Sequence, residues 1–168
     1  VNNFEEPVYQ VDVVSDPVVV KLTGRCNYLN CNPFRQFLDR MIDEGKKDFV
    51  FDFRSCMGMD STFLGILASI AMRLRKMKPA GTLVLIRLNE RNMDLVRNLG
   101  LHHLLIIDSG VSNPAEHKFS PISSGKVDSA EVILRAHESL VEVEQGNASK
   151  FQDCIEFLRN QVASEKSQ

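Results

Sequence analysis

The chain reads as an α/β fold: a mixed, mostly parallel β-sheet with helices packed on it, followed by a C-terminal helical extension. Three observations predict this. From Tyr9 to Ile107, β-branched and aromatic runs alternate with segments whose apolar residues recur at helical spacing. Capping residues stand at the start of those segments and Gly or Pro at their ends. A length of 168 residues, 43% hydrophobic and 25% charged, suffices for one core.

Val1 to Pro7 is polar and suits a loose lead-in. Tyr9 to Val14 and Val18 to Leu22, separated by Ser15-Asp16-Pro17, read as a hairpin that makes the sheet mixed. After Thr23-Gly24 an irregular stretch is expected up to Asn32-Pro33. Asn32 as N-cap with Pro33 at the first helical position starts a helix whose apolar face is Phe34, Phe37, Leu38, Met41 and Ile42, before Gly45. Phe49 to Phe53 is a short strand, Arg54 to Met59 shows no period, and Asp60 caps the next helix, Ser61 to Met77, which carries Leu64, Leu67, Ala68, Ala71 and Leu74. Arg73, Arg75, Lys76 and Lys78 complement its C-terminal dipole, and Pro79-Ala80-Gly81 ends it. Leu83 to Ile86 is the next strand; Asn89 caps a helix with Met93, Val96 and Leu99, stopped by Gly100; Leu104 to Ile107 is expected as the last strand.

Ser109 to Lys126, rich in Gly, Ser, Pro and Asn, reads as a long loop. Two helices are expected beyond it. Asp128-Ser129-Ala130-Glu131 has capping-box spacing ahead of Val132, Ile133, Ala136, Leu140 and Val141. Ser149-Lys150-Phe151-Gln152 repeats that logic ahead of Ile155, Leu158 and Val162, with Phe157 beside them and Gly146-Asn147 between the helices; the chain frays from Ala163.

The formal net charge is -2, with no basic block, which argues against a nucleic-acid partner. Cys26, Cys31, Cys56 and Cys154 match neither zinc nor redox-pair spacing, and no secretory apolar segment precedes them, so reduced thiols and a cytoplasmic protein are expected. No apolar run reaches the roughly 18 to 20 residues needed to span a bilayer, so any membrane contact is expected to run through a partner, not by direct insertion.

The stretch from Asp52 to Gly65 offers the best candidate chemistry. A hydroxyl at Ser61 would lie where the first backbone N–H groups of a helix are unpaired and the dipole favours an anion, a place for a phosphate, bound or covalent. A hydrolase elbow would need glycines two before and two after the serine, where Met59 and Phe63 stand. Gly58 stands without the glycines and lysine of a phosphate-cradling loop. His102 and His103 are expected on opposite sides of a strand, with no route to Ser61, and His117 and His137 read as ordinary surface or partly buried residues. Asp52 and Asp60 are candidates for an acid–base pair, but a loop-fixing role for Asp52 and a capping role for Asp60 are the expected ones. No catalytic residue, metal or cofactor is assigned. Phe63 and Leu64, in the first turn, are expected to be partly exposed to a partner, and Thr62 adds a second hydroxyl.

The string Phe49-Val50-Phe51-Asp52-Phe53 through Met59-Asp60-Ser61-Thr62-Phe63-Leu64-Gly65, with Gly81-Thr82-Leu83-Val84-Leu85 and Leu99-Gly100-Leu101, resembles the STAS domain family, specifically bacterial anti-sigma factor antagonists, from about Tyr9 to Ile107. The resemblance implies a STAS-like domain, placed over 1–108; the loop and helix patterns beyond it are expected to form a linker over 109–127 and a helical extension over 128–168 that packs on or extends the domain. The resemblance also implies a non-enzymatic regulator of transcription. The phosphoacceptor would be Ser61; Asp60, Thr62, Phe63 and Leu64 would form the docking turn, bordered by Gly24, Arg25 and Asn27, with Asp52 and Gly58 as structural neighbours. The implied partners are an anti-sigma factor that is itself a serine-protein kinase and a PP2C-type phosphatase. Two departures stand out: Phe63 occupies a place where the family commonly has Gly, and the C-terminal helices are longer than antagonists usually carry. The alternatives are a STAS scaffold subunit of a transporter or signalling complex without a phosphorylation cycle and, behind it, an enzyme with Ser61 as nucleophile.

Overall fold

In the computed structural model, residues 6–108, 116–123 and 125–167 are described. Part of the expected lead-in (1–5) and of the expected long loop (109–115 and 124) therefore lie outside the described residues. The order is β1 (Tyr9–Asp12), β2 (Val18–Cys26), α1 (Asn32–Asp43), β3 (Asp48–Met59), α2 (Ser61–Lys76), β4 (Thr82–Ile86), α3 (Glu90–Asn98), a 3₁₀ turn (Leu101–His103), β5 (Ile106–Asp108), β6 (Ser120–Pro121), α4 (Ala130–Val143) and α5 (Asn147–Lys166). The strands form one sheet in the order β5-β4-β3-β2-β1-β6. β2 through β5 are parallel neighbours, whereas β1 is antiparallel to both β2 and β6. The sheet is mixed and mostly parallel, as the alternation of elements predicts.

Alternation along the strands sorts the side chains by face. Val18, Val20, Leu22, Phe49, Phe51, Phe53, Leu83 and Leu85 are buried, and the apolar stripes of α1 (Phe34, Phe37, Leu38, Met41, Ile42) and α2 (Leu64, Leu67, Ala68, Ala71, Leu74) join them in one core. At its centre is an aromatic group: the Tyr9 and Phe34 rings stack with centroids 4.6 Å apart, and Phe51 meets Phe34 edge-on at 5.4 Å. A second, smaller apolar cluster of Leu134, Ile155 and Leu158 lies between α4 and α5.

Several expectations are corrected. β2 runs on to Cys26 and β3 to Met59, because the two strands stay paired through register shifts after Lys21 and Gly24; Arg54 to Met59 is irregular in pattern yet extended. Gly24 has φ +78, a conformation open to glycine without steric cost. Asn32 is the first residue of α1, not a side-chain cap; its Oδ1 accepts from Arg35 and its Nδ2 donates to the Lys126 carbonyl. His102 and His103 sit in the 3₁₀ turn with ring centroids 3.9 Å apart, so the last parallel strand starts only at Ile106 and the two rings are not on opposite sides of a strand.

A further short strand, β6, lies within the expected loop. Ser129, not Asp128, caps α4, its Oγ accepting from Val132 N. Asp128 instead accepts from the Cys31 thiol at 3.2 Å and pairs with Arg35. Burial and that carboxylate push the Cys31 thiol upward in pKa, so it stays protonated and can donate. α5 begins at Asn147 without a side-chain cap and continues to Lys166; buried Asn147 donates from Nδ2 to the carbonyls of Leu99 and Leu140, while Phe157 is exposed.

Candidate functional site

β3 leads through the single residue Asp60 into α2, whose start lies at the C-terminal ends of β2 and β3, with Asp60 N donating to the Cys26 carbonyl. The Asp60 carboxylate does two jobs. Oδ1 accepts from Phe63 N at 2.9 Å, the N-cap bond that the sequence predicts, and Oδ2 accepts from Tyr28 N at 2.9 Å, tying the β2–α1 loop to the helix start. Asp60→Ala is expected to cost about 1 to 2 kcal/mol from loss of the cap, with faster amide exchange at Tyr28 and Phe63 as the local signature.

Asn27, Tyr28, Leu29 and Asn30 form a turn that is hydrogen-bonded within itself. Asn27 Oδ1 accepts from Leu29 N, Asn30 Oδ1 accepts from Asn27 N and from the Tyr9 hydroxyl, and Asn30 Nδ2 donates to the Arg25 carbonyl. The turn therefore presents Tyr28 (45% exposed) and Leu29 (55%) to solvent, and Met57 (66%), near the end of β3, is exposed as well. A small cavity of about 150 Å³ beside it is lined by Arg25, Met57, Gly58, Asp60 and Arg91 among others. A Cβ on Gly58 would meet nothing within 4 Å, so this glycine is not demanded by a close neighbour.

The expected docking turn is differently placed. Thr62, Phe63 and Leu64 are buried, not partly exposed. Phe63 points into the aromatic group, its ring 5.7 Å from Phe34 and 6.4 Å from Tyr9. The physical reason is that the third residue of α2 faces the sheet, where β1, α1 and β3 leave room for a large ring. Asp52 is also apart from the helix start: it pairs with Arg87 at 2.9 Å and accepts from Arg54 N, while Asp60 serves Tyr28 and Phe63, so the two carboxylates share no partner.

Ser61 itself is half-buried, and its neighbour is one that the sequence does not announce. Its Oγ lies 2.8 Å from Nε2 of His137, on α4. His137 is 3% exposed, and its Nδ1 lies 2.8 Å from the Ile133 carbonyl. A carbonyl only accepts, so Nδ1 carries the hydrogen; in the neutral ring Nε2 is then an acceptor and the Ser61 hydroxyl donates to it. Phe151 of α5 closes the far side, its ring edge-on to the imidazole at 5.2 Å. The expectation that His137 is an ordinary surface or partly buried residue is thus corrected: it is buried and meets Ser61. A signal was present: His137 falls between Leu134 and Leu140 at helical spacing, on the face of α4 that is buried.

The approach of α4 to α2 depends on Gly65. A Cβ there would stand 2.2 Å from the Ala136 carbonyl oxygen and 2.8 Å from the Ala136 Cβ, so the two helix backbones meet where neither side chain exceeds a methyl. Chemically, the pair of a serine hydroxyl and an imidazole nitrogen at hydrogen-bond distance resembles the first two members of a nucleophilic triad. The third place is held by a backbone carbonyl, not a carboxylate. Among the described residues no cluster of side chains is suited to hold a metal ion, and no helix is long and apolar enough to cross a membrane.

Comparison with known proteins gives a consistent picture. The family model described as "Mlab, STAS domain" matches residues 9–107. Among solved structures, the chain is similar to a Thermotoga maritima protein described as a candidate anti-sigma factor antagonist, at TM-score 0.53 and 20% identity over 62% of this chain and 88% of that one. It is also similar to the Bacillus cell fate determinant SpoIIAA in its phosphorylated form, at TM-score 0.50 and 19% identity over 60% and 91% of the two chains. The anti-sigma factor antagonist SpoIIAA in its unphosphorylated form matches at TM-score 0.49 and 21% identity over 61% and 89%. No curated protein matches the sequence.

Proposed function

The chain belongs to the STAS domain family, and from that premise we propose that it is a partner-switching regulator controlled by phosphorylation of Ser61. In this reading the unmodified protein binds an anti-sigma factor that is also a serine kinase, thereby regulating transcription in the bacterial cytoplasm. Phosphorylation releases that partner, and a PP2C-type phosphatase resets the switch. The observation that carries the proposal is the position of Ser61 as first residue of α2, immediately after a cap whose carboxylate is already engaged. The first turn of the helix leaves backbone N–H groups and a dipole that accommodate a phosphate within this chain.

The surface offered to the partner is Tyr28, Leu29 and Met57, with Arg25 at its edge and Asn27 holding its turn, in place of Phe63 and Leu64. A phosphoryl group adds about −1.5 to −2 charges beside Asp60. A partner packed against a neutral, partly apolar patch would then bury an uncompensated dianion, which is costly.

Intact-mass measurement of the protein from its own cells is expected to show one added phosphate, absent in Ser61→Ala. In binding assays with the purified kinase, Ser61→Asp is expected to weaken the complex at least tenfold. Phosphate retained in Ser61→Ala, or full-strength binding by Ser61→Asp, would count against the switch. One observation favours a second reading, a STAS scaffold subunit of a transporter or signalling complex without a phosphorylation cycle: the Ser61 hydroxyl is already satisfied by a buried histidine of α4. Unmodified Ser61 in cells together with stable co-purification in a membrane complex would select that alternative.

A further inference from the structure

We propose that the α4–α5 pair is a built-in gate over Ser61, so that a kinase reaches the hydroxyl only after α4 has lifted from α2. The proposal rests on reading Ser61 as the phosphoacceptor and adds the regulation of that site. Four observations carry it. The segment matched by the family model ends at residue 107, so both helices lie beyond the matched segment. α4 reaches back over the very residue the switch would use, with His137 Nε2 2.8 Å from Ser61 Oγ.

The α2–α4 contact is made at its closest point by Gly65 against Ala136, a junction that interlocks no large side chains there. And the pair has its own apolar cluster, Leu134, Ile155 and Leu158, which packs α4 on α5 independently of Ala136 and Leu140, the α4 residues buried in the main core. A kinase must bring the acceptor hydroxyl in line with a γ-phosphate. With α4 in place, that hydroxyl lies 2.8 Å from Nε2 of an imidazole only 3% exposed. The observed modification rate is then the intrinsic rate multiplied by the open fraction, and whatever binds or lifts α4 sets the response of the switch.

The test needs no kinase. In full-length protein, Ser61→Cys is combined with Cys154→Ser, which removes the exposed thiol; Cys26, Cys31 and Cys56 are buried. The probe is 5,5′-dithiobis(2-nitrobenzoate), with the Cys154→Ser chain as background and Cys154 of the native chain as the exposed standard. The thiol at position 61 is expected to react at least tenfold more slowly than Cys154. Adding Gly65→Ala, which drives a methyl into the Ala136 carbonyl while favouring the helical state of α2, is expected to speed it at least tenfold. Ala136→Glu does the same from the α4 side.

Hydrogen exchange should show residues 130–143 opened in both variants while β2, β3 and β4 stay protected. A position-61 thiol that reacts as fast as Cys154 with α4 in place overturns the gate. So does a rate unchanged by either variant, or exchange that stays native over α4 or spreads through the sheet in both. The intact-mass measurement fails or succeeds independently: absence of phosphate removes the switch, whereas a failed thiol test removes only the gate.

Discussion

Replacing Phe63 with alanine is expected to destabilise the domain by about 3 to 5 kcal/mol, the range for deleting a large aromatic side chain from a packed core. The ring is fully buried and stacks near both Phe34 and Tyr9, so its removal leaves a void bounded by β1, α1 and α2. For a chain of this size each kcal/mol lowers the melting temperature by roughly 2 to 4 °C, and a drop of about 6 °C or more is anticipated. Calorimetry or denaturant unfolding checks it. A near-neutral result would mean that Phe63 is not the packing element its geometry indicates. The outcome also separates stability from recognition, because Tyr28, Leu29 and Met57 remain exposed in the variant and partner binding below the melting transition should persist.

Leu140→Ala is expected to have the second largest effect, about 2 to 5 kcal/mol for truncating a buried leucine. Leu140 is fully buried and belongs to the main core, although it is carried by α4, and its carbonyl accepts from Asn147 Nδ2. It is the anchor by which α4 holds on to the sheet domain. The loss should therefore fall unevenly: amide exchange over residues 130–143 should rise further than exchange in β2 and β3. A uniform rise across all elements would indicate that α4 has no independent opening.

Most of the layout was legible because it is written in short-range patterns. Asp60, Asn89 and the stripes of α1 and α2 announce helix starts and buried faces, and the runs around Val18 and Phe49 announce strands. The ends were less legible. β2 and β3 continue past their apolar runs because each is the other's hydrogen-bonding partner, a non-local cause that overrides local irregularity. The same holds at the site. The capping role of Asp60 is local and readable, whereas its bond to Tyr28 spans 32 residues and the Ser61–His137 contact spans 76. Phe63 shows a different limit: a large residue in the first turn of a helix can face either way, and only the space left by Tyr9 and Phe34 decides that it turns inward.

The two-residue strand β6 bears on how this protein keeps to itself. Ile122 N donates inward to the Tyr9 carbonyl, so the preceding residue, Pro121, turns its nitrogen toward the open side of the sheet. Proline has no hydrogen there to give. A stray extended peptide seeking to lengthen the sheet beyond β6 meets a missing donor at the first step, and the segment between sheet and gate thus doubles as a stopper against strand-by-strand aggregation.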